Sequence, residues 1–399
     1  MAFFKGMKNM NIIDYIIVGA GFSGSVVAER IANVLNRKVL IIEKRNHVGG
    51  NCYDYFNENG ILIHKYGPHI FHTNLKHVWD YISQFTEWYY YQHKVLGLID
   101  GRKVCIPFNL NSLYDLFPLK LANLLEEKLV FNFGYGKKVS ILKLRNVEDK
   151  DLKMLSDYVY EKVFLNYTQK QWGVRPEELD PSVMERVPIY ISRDNRYFQD
   201  IYQGIPKEGY YKVFERMLSN PNIKILLNTN FKEVIEIDYE ERKIYFLGKK
   251  FKGKLIFTGP IDEFFNYKYG KLPYRSLKFE YKTMEKEYYQ EVAVVNYPNE
   301  YEFTRITEYK HMTGQKSYNT TISIEYPQEY DEKDPEKNIP FYPMPKKENM
   351  ELYKKYEEKT KEFSNVIFLG RLGEYRYYNM DEVINRSLRI FCEYFIKSE

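Results

Sequence analysis

Apolar and polar positions alternate along the chain in segments of distinct period. Tyr15-Ile16-Ile17-Val18 is a short unbroken apolar run, and the stretch Lys38 to Ile42 holds a second after its lysine; apolar runs of this length read as strands covered on both faces. Between them, Ser25 to Leu35 repeats its apolar residues at helical spacing. Strand, helix and strand in this order predict a parallel βαβ unit, because parallel neighbours need a crossover. Leu75 to Phe85 predicts a further helix. From Tyr89 to Asn109 polar and apolar residues alternate around Asp100-Gly101, the pattern of a hairpin in an antiparallel sheet. The period then turns helical from Ser112 to about Tyr167. Leu121, Leu124, Leu125 and Leu129 share one face, and Leu152, Leu155, Val159 and Val163 share another, so these are expected core positions of a helical insertion. No internal repeat and no long disordered linker interrupts the chain.

The turn between the first strand and its helix carries G-x-G-x-x-G as Gly19, Gly21 and Gly24. Gly19 permits the tight turn, Gly21 lets the backbone approach a pyrophosphate, and Gly24 lets the helix pack on the strand; Ser23 stands inside the turn, where free N–H groups meet phosphate. Glu43 ends the second strand, placed to accept a ribose hydroxyl. A dinucleotide is therefore expected. Lys44-Arg45-Asn46-His47-Val48-Gly49-Gly50-Asn51 follows the acid, and this basic residue with its Gly-Gly pair resembles FAD-containing members of the glutathione-reductase-like superfamily. Gly19, Gly21, Ser23, Gly24, Glu43, Lys44 and Asn51 are the expected cofactor residues of this segment.

Composition narrows the partners. The chain has 39 Tyr and 26 Phe, enough for aromatics to line pockets as well as core. A net charge of +5 over 399 residues is too diffuse for a nucleic-acid protein but suits an anionic small substrate. Cys52, Cys105 and Cys392 are too few and scattered for a disulfide framework, which points to a reducing compartment. Met1 to Met10 has no leader-like apolar core, and no later run reaches membrane-spanning length, so a cytoplasmic protein with a loose N-terminal tail and no membrane span is expected. His69 and His72 stand at the Gly67-Pro68 turn without a third donor at metal-ligand spacing. No metal is expected; the loop reads as packed, or, once the later motifs are counted, as lying beside the flavin.

Tyr167-Thr168-Gln169-Lys170-Gln171-Trp172-Gly173, Arg186-Val187-Pro188 and Arg196-Tyr197-Phe198 set aromatics beside Lys, Gln and Arg, a surface suited to a base, a sugar and phosphates. The polar stretch Val174 to Met184 suits a loop that opens and closes.

Together with Ile63-His64-Lys65-Tyr66-Gly67-Pro68-His69-Ile70-Phe71-His72-Thr73, these segments resemble the bacterial UDP-galactopyranose mutases. The likeness continues through Tyr202-Gln203-Gly204-Ile205-Pro206, Thr258-Gly259-Pro260-Ile261-Asp262, Tyr274-Arg275-Ser276-Leu277, Thr304-Arg305-Ile306, Glu325-Tyr326-Pro327, Phe341-Tyr342-Pro343 and Gly370-Arg371-Leu372-Gly373-Glu374-Tyr375-Arg376-Tyr377. It runs from about Ile16 to Asp381.

The resemblance implies an α/β fold: a Rossmann-like FAD domain (10–80, 205–260 and 350–399), an inserted helical domain (109–175) and an antiparallel sheet domain (81–108, 176–204 and 261–349). It implies interconversion of UDP-galactopyranose and UDP-galactofuranose without net oxidation. By the resemblance, reduced FAD would attack the anomeric carbon through N5 as UDP leaves, the sugar ring would open and reclose as the furanose, and UDP would return. By the same resemblance Arg186 and Arg305 grip the diphosphate, Arg186 from the mobile loop. Tyr197, Tyr342 and Tyr377 donate hydroxyls to phosphate, Tyr167 lies under the uracil, and Trp172 guards the sugar. His69 and Arg371 stand by the flavin, with Met380 among the cofactor residues; Asn379 is among the substrate residues, and Arg275 matches a family arginine without a firm role. A UDP-hexose, an external reductant such as NAD(P)H and a second copy in a homodimer are the implied partners. Three residues depart from the family pattern: Asn379 replaces an Asp, Tyr190 an arginine and Tyr211 a threonine. Two rival readings remain for the sequence, a flavin oxidase or desaturase of the amine-oxidase-like type and a nucleotide-sugar binding protein with a structural flavin.

Overall fold

The computed structural model describes residues 13–396, so the expected loose tail lies outside the described residues. Twelve strands build the two large sheets. In chain order they are β1 (Tyr15–Val18), β2 (Val39–Ile42), β3 (Val95–Ile99), β4 (Arg102–Ile106), β5 (Ile223–Leu226), β6 (Lys254–Phe257), β7 (Tyr274–Met284), β8 (Val294–Asn296), β9 (Arg305–Glu308), β10 (Thr320–Glu329), β11 (Tyr342–Pro343) and β12 (Val366–Phe368). Six helices concern the site or its supports: α1 (Phe22–Val34), α2 (Leu119–Phe133), α3 (Lys150–Val159), α4 (Asn166–Trp172), α5 (Tyr210–Met217) and α6 (Met380–Phe391).

The first sheet is parallel, in the order β5-β2-β1-β6-β12. Ile16, Ile17, Leu40, Ile41, Leu255 and Ile256 are sealed on both faces, which is why β1, β2 and β6 read as unbroken apolar runs. Helices α1 and α6 cover one face of this Rossmann-like unit. α1 begins at Phe22, three residues before the periodic pattern, because the glycine turn passes straight into helix.

The second sheet is largely antiparallel, in the order β11-β7-β10-β9-β8-β3-β4. Asp100 and Gly101, at φ of 46° and 77°, form the predicted β3–β4 turn. Register places Gly97, Asn296, Arg305, Glu325 and Phe279 in one row across five neighbouring strands. Directly opposed residues share a face of the sheet. Two chemically unlike residues, Arg305 and Glu325, are thereby set side by side.

The helical segment packs around Leu125, Leu129, Leu152, Leu155 and Val159, all buried as expected. Leu124 is a correction: it is 39% exposed, because α2 turns only Ala122, Leu125 and Leu129 fully into the core. A π-helical stretch, Tyr160–Leu165, joins α3 to α4. Among the described residues no helix is long and apolar enough to cross a membrane.

Candidate active site

A cavity of about 220 Å³ lies at the carboxyl ends of β1, β2 and β6. Gly19, Gly21, Ser23, Glu43, Lys44, Asn51, His69, Arg371, Asn379 and Met380 all line it. Gly24 does not: a Cβ there would sit 2.1 Å from the Gly19 carbonyl oxygen and 2.9 Å from Ile17, so this glycine serves the packing of α1 on β1. Gly19 holds φ at +101°. At Gly21 a Cβ would meet only the Gly50 Cα, at 3.7 Å, so its bareness leaves room for a ligand rather than for protein.

Glu43 is buried and accepts two backbone N–H groups, Ala20 on Oε2 at 2.8 Å and Arg45 on Oε1 at 2.9 Å. It therefore braces the glycine turn as well as facing the cavity. Asn51 Oδ1 accepts from Arg45 Nη2 at 2.9 Å, and the Arg45 guanidinium lies 4.5 Å from the Tyr66 ring centre. Burial pulls the Lys44 ammonium below its ordinary pKa. His69 Nδ1 is 2.8 Å from the Gly67 carbonyl oxygen, and burial lowers its pKa to about 4. The neutral ring therefore carries its hydrogen on Nδ1, leaving Nε2 as an acceptor. Arg371 donates to the carbonyls of Phe341 and Tyr378 at 2.9 and 2.8 Å. Glycine cradle, bracing acid, basic flank and apolar walls together fit a dinucleotide such as FAD.

A second cavity, about 190 Å³, takes Arg186, Arg305, Tyr167, Trp172, Tyr197, Tyr342 and Tyr377 into one wall set, bringing together residues up to 210 positions apart. Tyr342 and Tyr377 stack with centres 5.6 Å apart and planes 10° from parallel, and Trp172 stands 6.0 Å from Tyr342. The Arg186 guanidinium lies 3.4 Å from the Tyr377 ring centre and donates to Asn379 Oδ1 at 3.1 Å. Arg305 pairs with Glu325 at 3.1 Å, following the strand register. The two cavities meet where Arg371, from the first, lies 4.8 Å from the Tyr377 ring of the second.

Charge is concentrated here. Burial works against the Arg305 cation, yet Glu325 and the surrounding phenols outweigh it and hold its pKa above the ordinary value. Burial would also raise the Tyr377 phenol, but Arg186, Arg371 and Arg305 pull it below its usual value. Burial raises Tyr167 to about 12 and raises Tyr197 as well. Such a cluster of guanidinium and phenol donors suits a diphosphate.

Asn379 is placed differently from the sequence expectation. It lines the cofactor cavity, because it sits at the N-cap of α6, and reaches the substrate cavity only through Arg186. Tyr190 and Tyr211 line neither cavity: Tyr190 belongs to a two-stranded ribbon opposite Lys138, and the Tyr211 backbone donates to Asp54 at 2.8 Å. Arg275 acquires a role as a brace, donating to the carbonyls of Gln171 and Lys170 at 3.0 and 3.2 Å. Sequence reasoning missed Gln171, Asn296 and Glu325. Gln171 Oε1, Asn296 Oδ1 and Arg305 Nε are buried without a protein partner around the second cavity. Gln171 lies inside a motif already marked by its aromatics; Asn296 has no local signal and enters through register alone.

Fold and cavities are those of a Rossmann-like dinucleotide-binding protein in which a second cavity, rich in guanidinium and phenol groups, adjoins the glycine-lined one. Residues 162–377 match the family described as UDP-galactopyranose mutase, and residues 17–85 match the NAD(P)-binding Rossmann-like domain. The UDP-galactopyranose mutase of Mycoplasma genitalium is 38% identical over 96% of this chain and 94% of its own. A probable UDP-galactopyranose mutase of Klebsiella pneumoniae is 35% identical over 97% and 95%. The dTDP-fucopyranose mutase of Escherichia coli is 35% identical over 94% and 96%. Among solved structures, a reduced UDP-galactopyranose mutase covers 97% of this chain and 94% of its own at a TM-score of 0.73 and 16% identity, a likeness of fold. The chain belongs to the UDP-galactopyranose mutase family.

Proposed function

We propose that the protein interconverts UDP-galactopyranose and UDP-galactofuranose, with FAD in its reduced form as cofactor. The carrying observation is the convergence of Arg186, Arg305, Tyr342 and Tyr377 in one cavity that meets the cofactor cavity at Arg371. When bound and reduced, the flavin supplies the nucleophile for the anomeric carbon.

The chain's own residues hold and release UDP. Arg305, fixed by Glu325, meets the diphosphate from the sheet side, and Arg186 meets it from the loop side. Their charge is in place before the glycosidic bond breaks, so little reorganisation is needed as negative charge grows on the leaving phosphate. The Tyr377 phenol, with its lowered pKa, is a stronger hydrogen-bond donor to that oxygen than an ordinary phenol. Tyr167 offers its ring to the base, and the orphaned Gln171 and Asn296 oxygens accept from the nucleoside. Trp172, only 8% exposed, closes the sugar side against water. His69 Nε2 remains an acceptor toward the flavin. Gly19, Gly21, Ser23, Glu43, Lys44, Asn51 and Met380 hold the dinucleotide, with Gly24 keeping α1 closed upon β1.

This reading includes an external reductant such as NAD(P)H to prime the flavin, a homodimer and a cytoplasmic setting. It divides the chain into an FAD domain (10–80, 205–260, 350–399), a helical domain (109–175) and a sheet domain (81–108, 176–204, 261–349). The test is incubation of dithionite-reduced protein with UDP- and dTDP-linked galactose, N-acetylgalactosamine and fucose, with furanose products read by chromatography. UDP-galactofuranose as the main product is expected. Stoichiometric oxidised sugar, or turnover with oxidised flavin alone, overturns the reading in favour of an oxidase. A flavoprotein that binds UDP-sugars and converts none is a binding protein.

A further inference from the structure

Lys170 lies in the nucleotide-facing segment but lines neither cavity. On α4, Tyr167, Thr168 and Gln171 turn one face to the substrate cavity, while Asn166 and Lys170, four residues apart, share another. The Lys170 ammonium donates to three backbone carbonyls of a single loop, Tyr297 at 2.5 Å, Tyr301 at 2.8 Å and Phe303 at 3.1 Å. Those three bonds use all the donors an ammonium has. Asn166 Nδ2 reaches the same loop at Asn299 Oδ1, 3.1 Å away, and Asn299 donates back to the Lys162 carbonyl at 3.1 Å.

The loop joins β8 to β9. Its entrance is Asn296, its second residue is Pro298, and its exit leads to Arg305; all three line the substrate cavity. On the other side, Arg275 holds the Lys170 and Gln171 carbonyls. Helix and loop both contribute walls to this cavity, and the Lys170 side chain is the charged link between them. Arg305 depends on it less, since β9 is paired on both sides and the guanidinium is held by Glu325.

Resting on the mutase reading above, we propose that Lys170 is a positioning residue that sets the width of the nucleotide cleft, fixing Tyr167 and Gln171 against Asn296 and Pro298. Its loss loosens the grip on the nucleoside and leaves the reacting centre, carried by Arg305, Arg186 and the flavin, in place. The effect is on KM and on UDP affinity, with kcat nearly preserved.

Lys310 provides an internal control. It is 1% exposed and is likewise caged by three carbonyls, Glu287 at 2.7 Å, Ser317 at 2.5 Å and Asn319 at 3.1 Å, but it lines neither cavity. In flavin-loaded full-length protein, UDP binding is followed by calorimetry, together with KM, kcat and flavin content, for Lys170→Met, Lys170→Arg and Lys310→Met. Lys170→Met is expected to raise the UDP Kd and the KM about tenfold with kcat within about threefold, a loss of the size that one charged positioning contact carries. Lys170→Arg, which keeps charge and donors, restores most of the affinity. Lys310→Met lowers stability and leaves UDP affinity unchanged. Equal UDP affinity in Lys170→Met and wild type overturns the proposal, as does a loss shared by Lys310→Met or one confined to kcat. A wild type that does not bind UDP overturns the mutase reading itself, and the proposal with it.

Discussion

Arg305 and Glu325 are joined by strand register, the carboxylate buried at 3% side-chain exposure and the guanidinium, at 24%, open to the cavity it lines. Replacing Arg305 by Met removes the proposed diphosphate ligand and also strands a carboxylate. Glu325 would keep only the long contact from Thr304 Oγ1, at 3.5 Å. Leaving one member of a buried pair uncompensated costs about 3–5 kcal/mol, enough to move a urea midpoint by roughly 1 M for an m-value near 3 kcal/mol/M or a little above. The second substitution, Glu325→Gln, removes the stranded charge, so Arg305→Met with Glu325→Gln should recover more than half of that loss. Function should not recover with it. A charged hydrogen bond to phosphate contributes about 1.5–3 kcal/mol, so UDP affinity should fall roughly 10- to 100-fold in the single and the double variant alike. Urea unfolding followed by circular dichroism and UDP titration by calorimetry, on the same preparations, separate the two effects. A double variant no more stable than Arg305→Met refutes the account of stability, and unchanged UDP affinity in either refutes the placement of the diphosphate.

Gly21→Ala should fold normally, since its Cβ meets no protein atom closer than 3.7 Å, yet purify with little flavin; the absorbance ratio of flavin to protein reads this. Asn379→Asp would turn a neutral acceptor for Arg186 into an ion-pair partner that competes with phosphate, and roughly 0.5–1 kcal/mol of added competition at this exposed contact weakens UDP binding about two- to fivefold by calorimetry. Burial lowers His47 and His69 to about 4 and His64 and His93 to about 3, below an unfolded value near 6.5. The unfolded chain then binds protons that the folded chain refuses, so these histidines add stability that is present above about pH 6.5 and is lost as pH falls toward 4. Urea midpoints should decline over that range, with a shallower slope in His64→Asn.

Local chemistry was the legible part of this chain. The β1 turn and α1 could be read because glycine placement, apolar runs and helical period all lie within 30 neighbouring residues. The β3–β4 hairpin was readable for the same reason, from Asp100-Gly101. What could not be read depends on distant registration. Arg305 meets Glu325 because β9 and β10 align at that step, and a shift of one residue would turn Glu325 to the other face. Nothing near Asn296 marks it, and nothing near Asn379 shows that it meets Arg186 across 193 positions. Leu124 fits the helical period but falls at the edge of its stripe, where exposure depends on what the rest of the domain leaves uncovered. Tyr190 and Tyr211 looked like substitutions in a site because their sequence neighbours matter; in space they face elsewhere.

Arg371 is anchored on two main-chain carbonyls, lines the dinucleotide cavity and leans on Tyr377 of the other cavity. One anchored cation thus marks the junction of the two cavities, so charged occupants of both would lie near enough to act on each other through space, and that mutual interaction is what would link their affinities. Whatever factor a bound UDP-sugar imposes on the hold over the cofactor, the cofactor must return to the UDP-sugar in equal measure. On the proposed function, negative charge gained by the flavin would weaken the hold on the diphosphate directly, without any moving part.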